Sequence, residues 1–167
     1  MGLCRAGWRM KSYNNKYEYY GLDEMFNYAR LGSEATLFAS LASAYNLGDP
    51  WVGYCYEPTW ISGKLDLLLL EDAPYDPEVF MEGKCSFPAQ ELKIVSSNKF
   101  AKRAPDLLEF FQNYQTSSQL ISKALAHLDE TGDSHEETAL WFLKGFDYLL
   151  DEWLPQENAE KVRASLK

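Results

Sequence analysis

The chain has 167 residues, 46% of them hydrophobic and 15% aromatic, with a formal net charge of −9. That apolar content excludes a disordered chain, which buries too little surface to offset its ordering entropy, and the length holds one domain or one domain plus part of another. The acidic balance argues against nucleic acid and anionic membrane surfaces as partners, because phosphate binding needs clustered Lys and Arg.

The opening "MGLCRAGWRMKSYNNK" lacks the apolar stretch of a signal peptide, which taken alone would indicate the cytoplasm. "NNKYEYYGL" predicts a short helix stopped by Gly21, and "EMFNYAR" a short strand. "GSEATLFASLASAYNLGDP" is the clearest element. Ser33 caps a helix, Leu37, Leu41, Ala44 and Tyr45 recur at helical spacing, and Gly48 and Pro50 end it. "WVGYCY" is β-rich and leads into a turn or short helix begun by Pro58. "LDLLLL" is apolar enough for a buried strand. Pro74, Pro77, Gly83 and Pro88 punctuate a loop over 71–88, and "AQELKIVSS" then alternates like a strand with Leu92 and Ile94 on one face. After Asn98 the sequence is helical to its end. Pro105 and Thr116-Ser117 mark helix starts, Asp133-Ser134 caps another, and Pro155 breaks the last. Strand and helix alternate first and helices follow, so the expected class is α/β with a helical C-terminal layer, divided into 1–97 and 98–167.

Little in the chain suggests covalent chemistry. Cys4, Cys55 and Cys85 are an odd, scattered set without a C-x-x-C pair, best read as small buried hydrophobes. His127 and His135 lie in helical sequence away from any cysteine or serine elbow and read as solvated helix residues. Glycine-rich phosphate loops and metal-ligand spacings are missing, so no enzyme, cofactor or metal is indicated. The longest apolar run, 67–70, falls far short of the ~20 residues a membrane span needs.

The aromatic residues say more. Tyr54, Tyr56 and Trp60 crowd around Glu57-Pro58-Thr59, as either a packing layer or the wall of a binding site. A quaternary ammonium has no N–H to donate, so a cage of rings suits it, at about 0.5–1 kcal/mol per exposed contact. Trp51, Trp141 and Trp153 read as packing.

The string "AGWRM", the run from "YYGLDEMFNYARLGSEATLFASLASAYNLGDPWVGYCYEPTWISGKLDLLLLEDAPYDPE" and the later "FPAQELKIVSSNKFAKRAPDLLEFFQNYQTSSQLISKALAHL" resemble the glycine betaine/proline betaine substrate-binding proteins of ABC importers. The resemblance runs in order from about Gly7 to Leu166. It rests on a Gly-Trp pair, a Gly-Ser helix start, an aromatic-x-aromatic-x-Pro-x-Trp strand exit and a Phe-Pro before the late strand. It implies a type II periplasmic-binding-protein fold, an aromatic box for the trimethylammonium group, and backbone N–H groups for the carboxylate. The family's Gly-Trp-Gly-Cys motif falls on Gly7, Trp8, Arg9 and Met10. Trp8 would be one wall of the box, and the amides of Arg9 and Met10 would face the carboxylate. Its Tyr-x-Trp-x-Pro motif falls on Tyr54, Cys55, Tyr56, Glu57 and Pro58, making Tyr56 a second wall, with Gly7, Tyr54, Pro58 and Trp60 in support.

Both motifs depart from the family pattern. Arg9 and Met10 replace Gly and Cys, keeping the N–H donors but adding side chains where approach is tight. Tyr56 replaces a tryptophan and offers a smaller ring. Family members also carry more at the N-terminus, so the resemblance implies the C-terminal two-thirds of the fold: the second lobe plus helices returning to an incomplete first lobe. On that expectation Leu140, Phe142, Leu143, Phe146 and Leu149 leave an exposed apolar face that promotes self-association. The function implied is capture of a quaternary ammonium solute for an ABC permease and its ATPase outside the cytoplasm, with a non-binding remnant or interaction module as the alternative.

Overall fold

The computed structural model describes residues 2–3 and 9–166. They group into two compact units, Met1–Tyr56 with Leu65–Gln90, and Glu57–Lys64 with Glu91–Lys167. The chain therefore passes from one unit to the other at 56/57, 64/65 and 90/91.

The first unit begins as a small β-α-β arrangement. β1 (Gly2–Leu3) and β2 (Ala29–Arg30) pair in parallel, Gly2 opposite Ala29, with helix α1 (Arg9–Tyr19) between them in sequence. Parallel strands need such a crossover, because a hairpin turn cannot join them. Gly21 follows α1 in the left-handed region, at φ 63°, as the stop signal predicts. Of "EMFNYAR", only Ala29 and Arg30 form strand.

Helix α2 (Glu34–Leu47) matches its prediction closely. The Ser33 hydroxyl accepts the Thr36 N–H at 3.2 Å, and Gly48 closes the helix at φ 71°. Its buried stripe is Leu37, Phe38 and Leu41, while Tyr45 points outward.

The loop over 71–88 is strapped onto α1. A 3-10 turn, Phe80–Glu82, presents its carbonyls to α1: the Ser12 hydroxyl donates to Phe80 O and the Asn15 amide to Met81 O, each at 2.8 Å. Gly83 makes this approach possible, because a Cβ there would sit 2.2 Å from the Lys16 backbone nitrogen. Lys16 completes the strap with an ion pair to Asp72 and a hydrogen bond to Cys85 O at 2.6 Å. Cys85 is buried and Cys55 half-buried.

The expected strands at 51–56, 65–70 and 89–97 do not form ladders among the described residues. Leu69 is 91% exposed and Val95 is 92% exposed. β-rich composition records a fit to a pleated surface, but a ladder also needs a neighbouring edge. These stretches adjoin the places where the chain passes between units, and no described strand lies beside them.

The second unit is helical, as predicted. α3 (Trp60–Lys64) is followed by α4 (Asn98–Arg103), α5 (Pro105–Asn113), α6 (Ser118–Thr131), α7 (His135–Gly145), α8 (Leu149–Trp153) and α9 (Gln156–Ser165). Pro105 opens α5, Ser117 caps α6, and Ser134 with Glu137 forms a reciprocal capping box on α7. Phe142, Leu149, Leu150, Trp153 and Ala159 form its core. The expected exposed face is thus corrected: Phe142 and Leu149 are buried, Leu143 and Phe146 pack against the core, and Leu140 is the exposed member at 48%. Helices α7 and α8 fold their apolar faces onto each other and onto α5 and α9, which covers most of the stripe.

His127 is also corrected. It is no solvated residue: its ring stacks on Trp141 at 3.9 Å with 5° between planes, and Nε2 lies 3.1 Å from Asp133. A helix-turn-helix joint brings these three together, and a flat imidazole covers the indole face at little conformational cost.

Candidate functional site

Six aromatic residues of the first unit, Phe38, Tyr56, Tyr54, Tyr13, Phe87 and Phe80, form one continuous train. Tyr56 lies 6.2 Å from Phe38 and 5.9 Å from Tyr54, measured between ring centroids. Tyr54 lies 5.1 Å from Tyr13 and 5.8 Å from Phe87. Tyr13 and Phe87 are 5.0 Å apart, and Phe80 continues beyond Phe87 at 5.6 Å. Such spacings are those of tilted and edge-to-face pairs, each adding about 0.5–1.5 kcal/mol beyond burial.

Four elements hold this train, the 71–88 loop supplying Phe87 and Phe80. Helix α2 supplies Phe38 and Glu34, one turn apart. The 51–56 segment supplies Tyr54 and Tyr56 on alternate positions. Its path is fixed by Trp51, whose indole N–H donates to the Ser40 hydroxyl at 3.2 Å. Gly53 lets the segment lie on that indole, since a Cβ there would come within 2.4 Å of the ring. Helix α1 supplies Tyr13, buried at 5% exposure.

Burial grades along the train. Tyr13 is enclosed, Tyr54 is half-buried, and Tyr56 is 40% exposed with its hydroxyl donating to Glu34 Oε2 at 2.7 Å. Tyr56 is therefore partly exposed, with a carboxylate at the edge of its ring.

A cation already sits against the same train. The Lys16 ammonium lies 5.7 Å from the centroid of Phe87 and 5.5 Å from that of Tyr20, while pairing with Asp72. The Tyr20 hydroxyl also donates to Asp72, and that bond raises the Tyr20 pKa to about 12. Burial pushes the Asp72 carboxyl up, but the hydrogen bonds from Lys16 and Tyr20 together outweigh it and hold it below the usual range.

Of the residues expected in the site, Gly7 and Trp8 lie outside the described residues. Arg9 and Met10 are the first two residues of α1, and no acidic residue occupies its first turn. The first N–H groups of a helix lack intrahelical acceptors and carry the positive end of its dipole. Tyr13 follows one turn later, about 5–6 Å along the axis. The first unit thus brings α1, through Tyr13, to Tyr54, and Tyr54 to Tyr56. Pro58 and Trp60 belong to the second unit, where the Lys64 ammonium lies 6.0 Å from the Trp60 ring.

Tyr13, Phe87 and Glu34 enter the cluster without having been singled out as site residues. A signal existed for two of them. Tyr13 stands one turn past Arg9, and Phe87 belongs to the Phe-Pro pair already noted as a motif.

Among the described residues no helix is long and apolar enough to cross a membrane, and no group of three or more His, Cys, Asp and Glu is placed to hold a metal ion. Residues 3–145 match the family model described as the substrate binding domain of an ABC-type glycine betaine transport system. No curated protein matches the chain.

Proposed function

Because the chain belongs to the family of substrate-binding domains of ABC-type glycine betaine transport systems, whose fold is of the type II periplasmic-binding-protein kind, we propose that it captures a quaternary ammonium solute on the aromatic train of its first unit. Trp8 and Tyr56 are the walls that hold the trimethylammonium group. Tyr54 backs Tyr56, and the amides at the start of α1, from Arg9 and Met10, receive the carboxylate. Gly7 acts in support. No bond in the solute is made or broken. The solute passes to an ABC permease driven by its ATPase, and the protein works outside the cytoplasm. The α/β character of 1–97, with 98–167 returning toward a first lobe, is part of the same proposal, as is self-association of the chain.

The observation that carries the reading is the 40% exposure of Tyr56, its hydroxyl on Glu34, within a ring train that runs through Tyr54 to Tyr13 on α1. A ring surface and N–H donors are the two complements a betaine needs. An exposed ring contributes about 0.5–1 kcal/mol toward a cation, and a helix N-terminus about 0.3–1 kcal/mol toward an anion.

The test is a titration of the full chain with glycine betaine, proline betaine, carnitine and choline, followed by tryptophan fluorescence. Saturable binding that is lost in both Trp8→Ala and Tyr56→Ala is the expected result. No response to any of the four at millimolar concentration refutes the reading.

A further inference from the structure

Tyr56 is gripped by α2 at two points. Its ring packs on Phe38 and its hydroxyl donates to Glu34, and these two residues are one helical turn apart. Glu34 is itself placed by the Ser33 cap, which fixes the first turn of the helix. The carboxylate is therefore held at the edge of the ring, on the surface, at a defined distance from whatever lies over the ring face.

We infer that Glu34 is a specificity-determining residue, biasing the site toward quaternary ammonium ligands of net positive charge over zwitterions. This rests on the reading of Tyr56 as a cation wall. Two effects act together. A phenol that donates to a carboxylate carries more electron density in its ring, which strengthens the attraction for a cation over its face. The carboxylate also acts directly. A cation seated within about 6 Å of the ring centroid lies roughly 6–7 Å from Glu34, close enough for a Coulomb attraction worth about threefold in affinity at water-like dielectric. Choline, with one positive charge, gains the whole of this. Glycine betaine gains less, because its own carboxylate is repelled by Glu34 while its ammonium is attracted.

The experiment measures Kd for choline and for glycine betaine on the full chain, unaltered and as Glu34→Gln and Tyr56→Phe, at low and at higher salt. Glu34→Gln keeps a hydrogen-bond acceptor for Tyr56 and removes only the charge. It is expected to lower the choline-to-betaine affinity ratio by less than about threefold and to flatten the salt dependence of choline binding, with a thermal melt lowered by no more than the roughly 1–4 °C that loss of a first-turn carboxylate accounts for. Tyr56→Phe keeps the ring face, frees Glu34 to move away, and lowers the ratio by less. If both ligands bind the unaltered chain but Glu34→Gln leaves their ratio and salt dependence unchanged, this inference is overturned and the cation-wall reading stands. If neither ligand binds the unaltered chain, both are overturned.

Discussion

Helix α3 lies against α6 with Gly63 facing the Ser122 backbone, and Gly63→Ala tests whether that close approach organises the second unit. An added Cβ would lie 2.0 Å from the Ser122 carbonyl oxygen, 2.4 Å from its carbon and 3.0 Å from the Ala126 Cβ. Ordinary contact begins near 3.4 Å, so the helices must part by roughly 1.4 Å. Both sides are helical backbone, which cannot swing aside as a side chain would. The displacement also breaks the hydroxyl cluster beneath: Thr59 N–H donates to Ser122 Oγ at 3.3 Å, and Ser62 Oγ bonds Ser122 Oγ at 3.0 Å. Overpacking costs about 1–3 kcal/mol, and a stranded buried hydroxyl about 1–3 kcal/mol. A combined loss of about 3 kcal/mol lowers Tm by about 6–12 °C for a chain of this size. Thermal melts followed by far-ultraviolet circular dichroism and by tryptophan fluorescence would record it. Gly145→Ala is the control, since a Cβ there meets nothing within 4 Å, and its Tm should hold or rise slightly. A Gly63→Ala variant that melts with the unaltered chain refutes the close-packing argument.

Trp153→Phe removes the indole N–H that donates to Gln115 O at 2.9 Å; a loss of about 1–3 kcal/mol is expected in urea denaturation. Phe142→Ala opens the core of the second unit and should cost about 3–5 kcal/mol by the same measurement. Ser134→Ala deletes the capping box of α7 and should cost about 1 kcal/mol. In the first unit, the Asp72 carboxyl has a lowered pKa in the folded chain, so its stabilisation is present above about pH 4 and is lost as pH falls through the folded value. Tyr20 behaves oppositely: its pKa is raised to about 12, so its contribution is complete below about pH 10 and is lost as pH rises between the two values. Urea midpoints against pH should fall at both ends, and Asp72→Asn should flatten both.

The helical elements were legible because their signals are local. Ser33, Ser117 and Ser134 each cap the helix that follows them, and Gly21 and Gly48 adopt the left-handed backbone that their stop positions require. Nothing in these signals depends on residues far away. The strands failed for the converse reason. "LDLLLL" has the composition of a buried strand, yet burial is a property of what covers it, and Leu68 and Leu69 remain exposed. The packing of Glu57–Lys64 with helices some sixty residues later is equally invisible in the sequence, because it includes the close approach of Gly63 to the Ser122 backbone. His127 shows the same limit on a smaller scale, since only the α6–α7 joint brings its ring to Trp141.

At the candidate site, the rings at alternate positions were visible as a pattern, but packing layer and ligand wall give the same pattern. Burial differs along the train: Tyr13 is enclosed, Tyr54 half-buried and Tyr56 partly exposed, with Phe38 beyond it buried again. An enclosed ring can only pack, whereas the proposed binding rests on the partly exposed ring with the anchored hydroxyl. The anchoring residue, Glu34, had a different apparent purpose: an acid in the first turn of a helix is explained by the helix dipole alone. Its second role arises because α2 carries Phe38 one turn later, which turns the ring of Tyr56 so that its hydroxyl meets the carboxylate. A substitution that disturbs Phe38 should therefore act on the ligand preference through Tyr56. Phe38→Leu keeps a buried apolar side chain but removes the ring contact, and it should shift the choline-to-betaine ratio in the same direction as Glu34→Gln. If Phe38→Leu lowers stability while leaving that ratio untouched, the hydroxyl–carboxylate contact does not depend on the helix face that presents it.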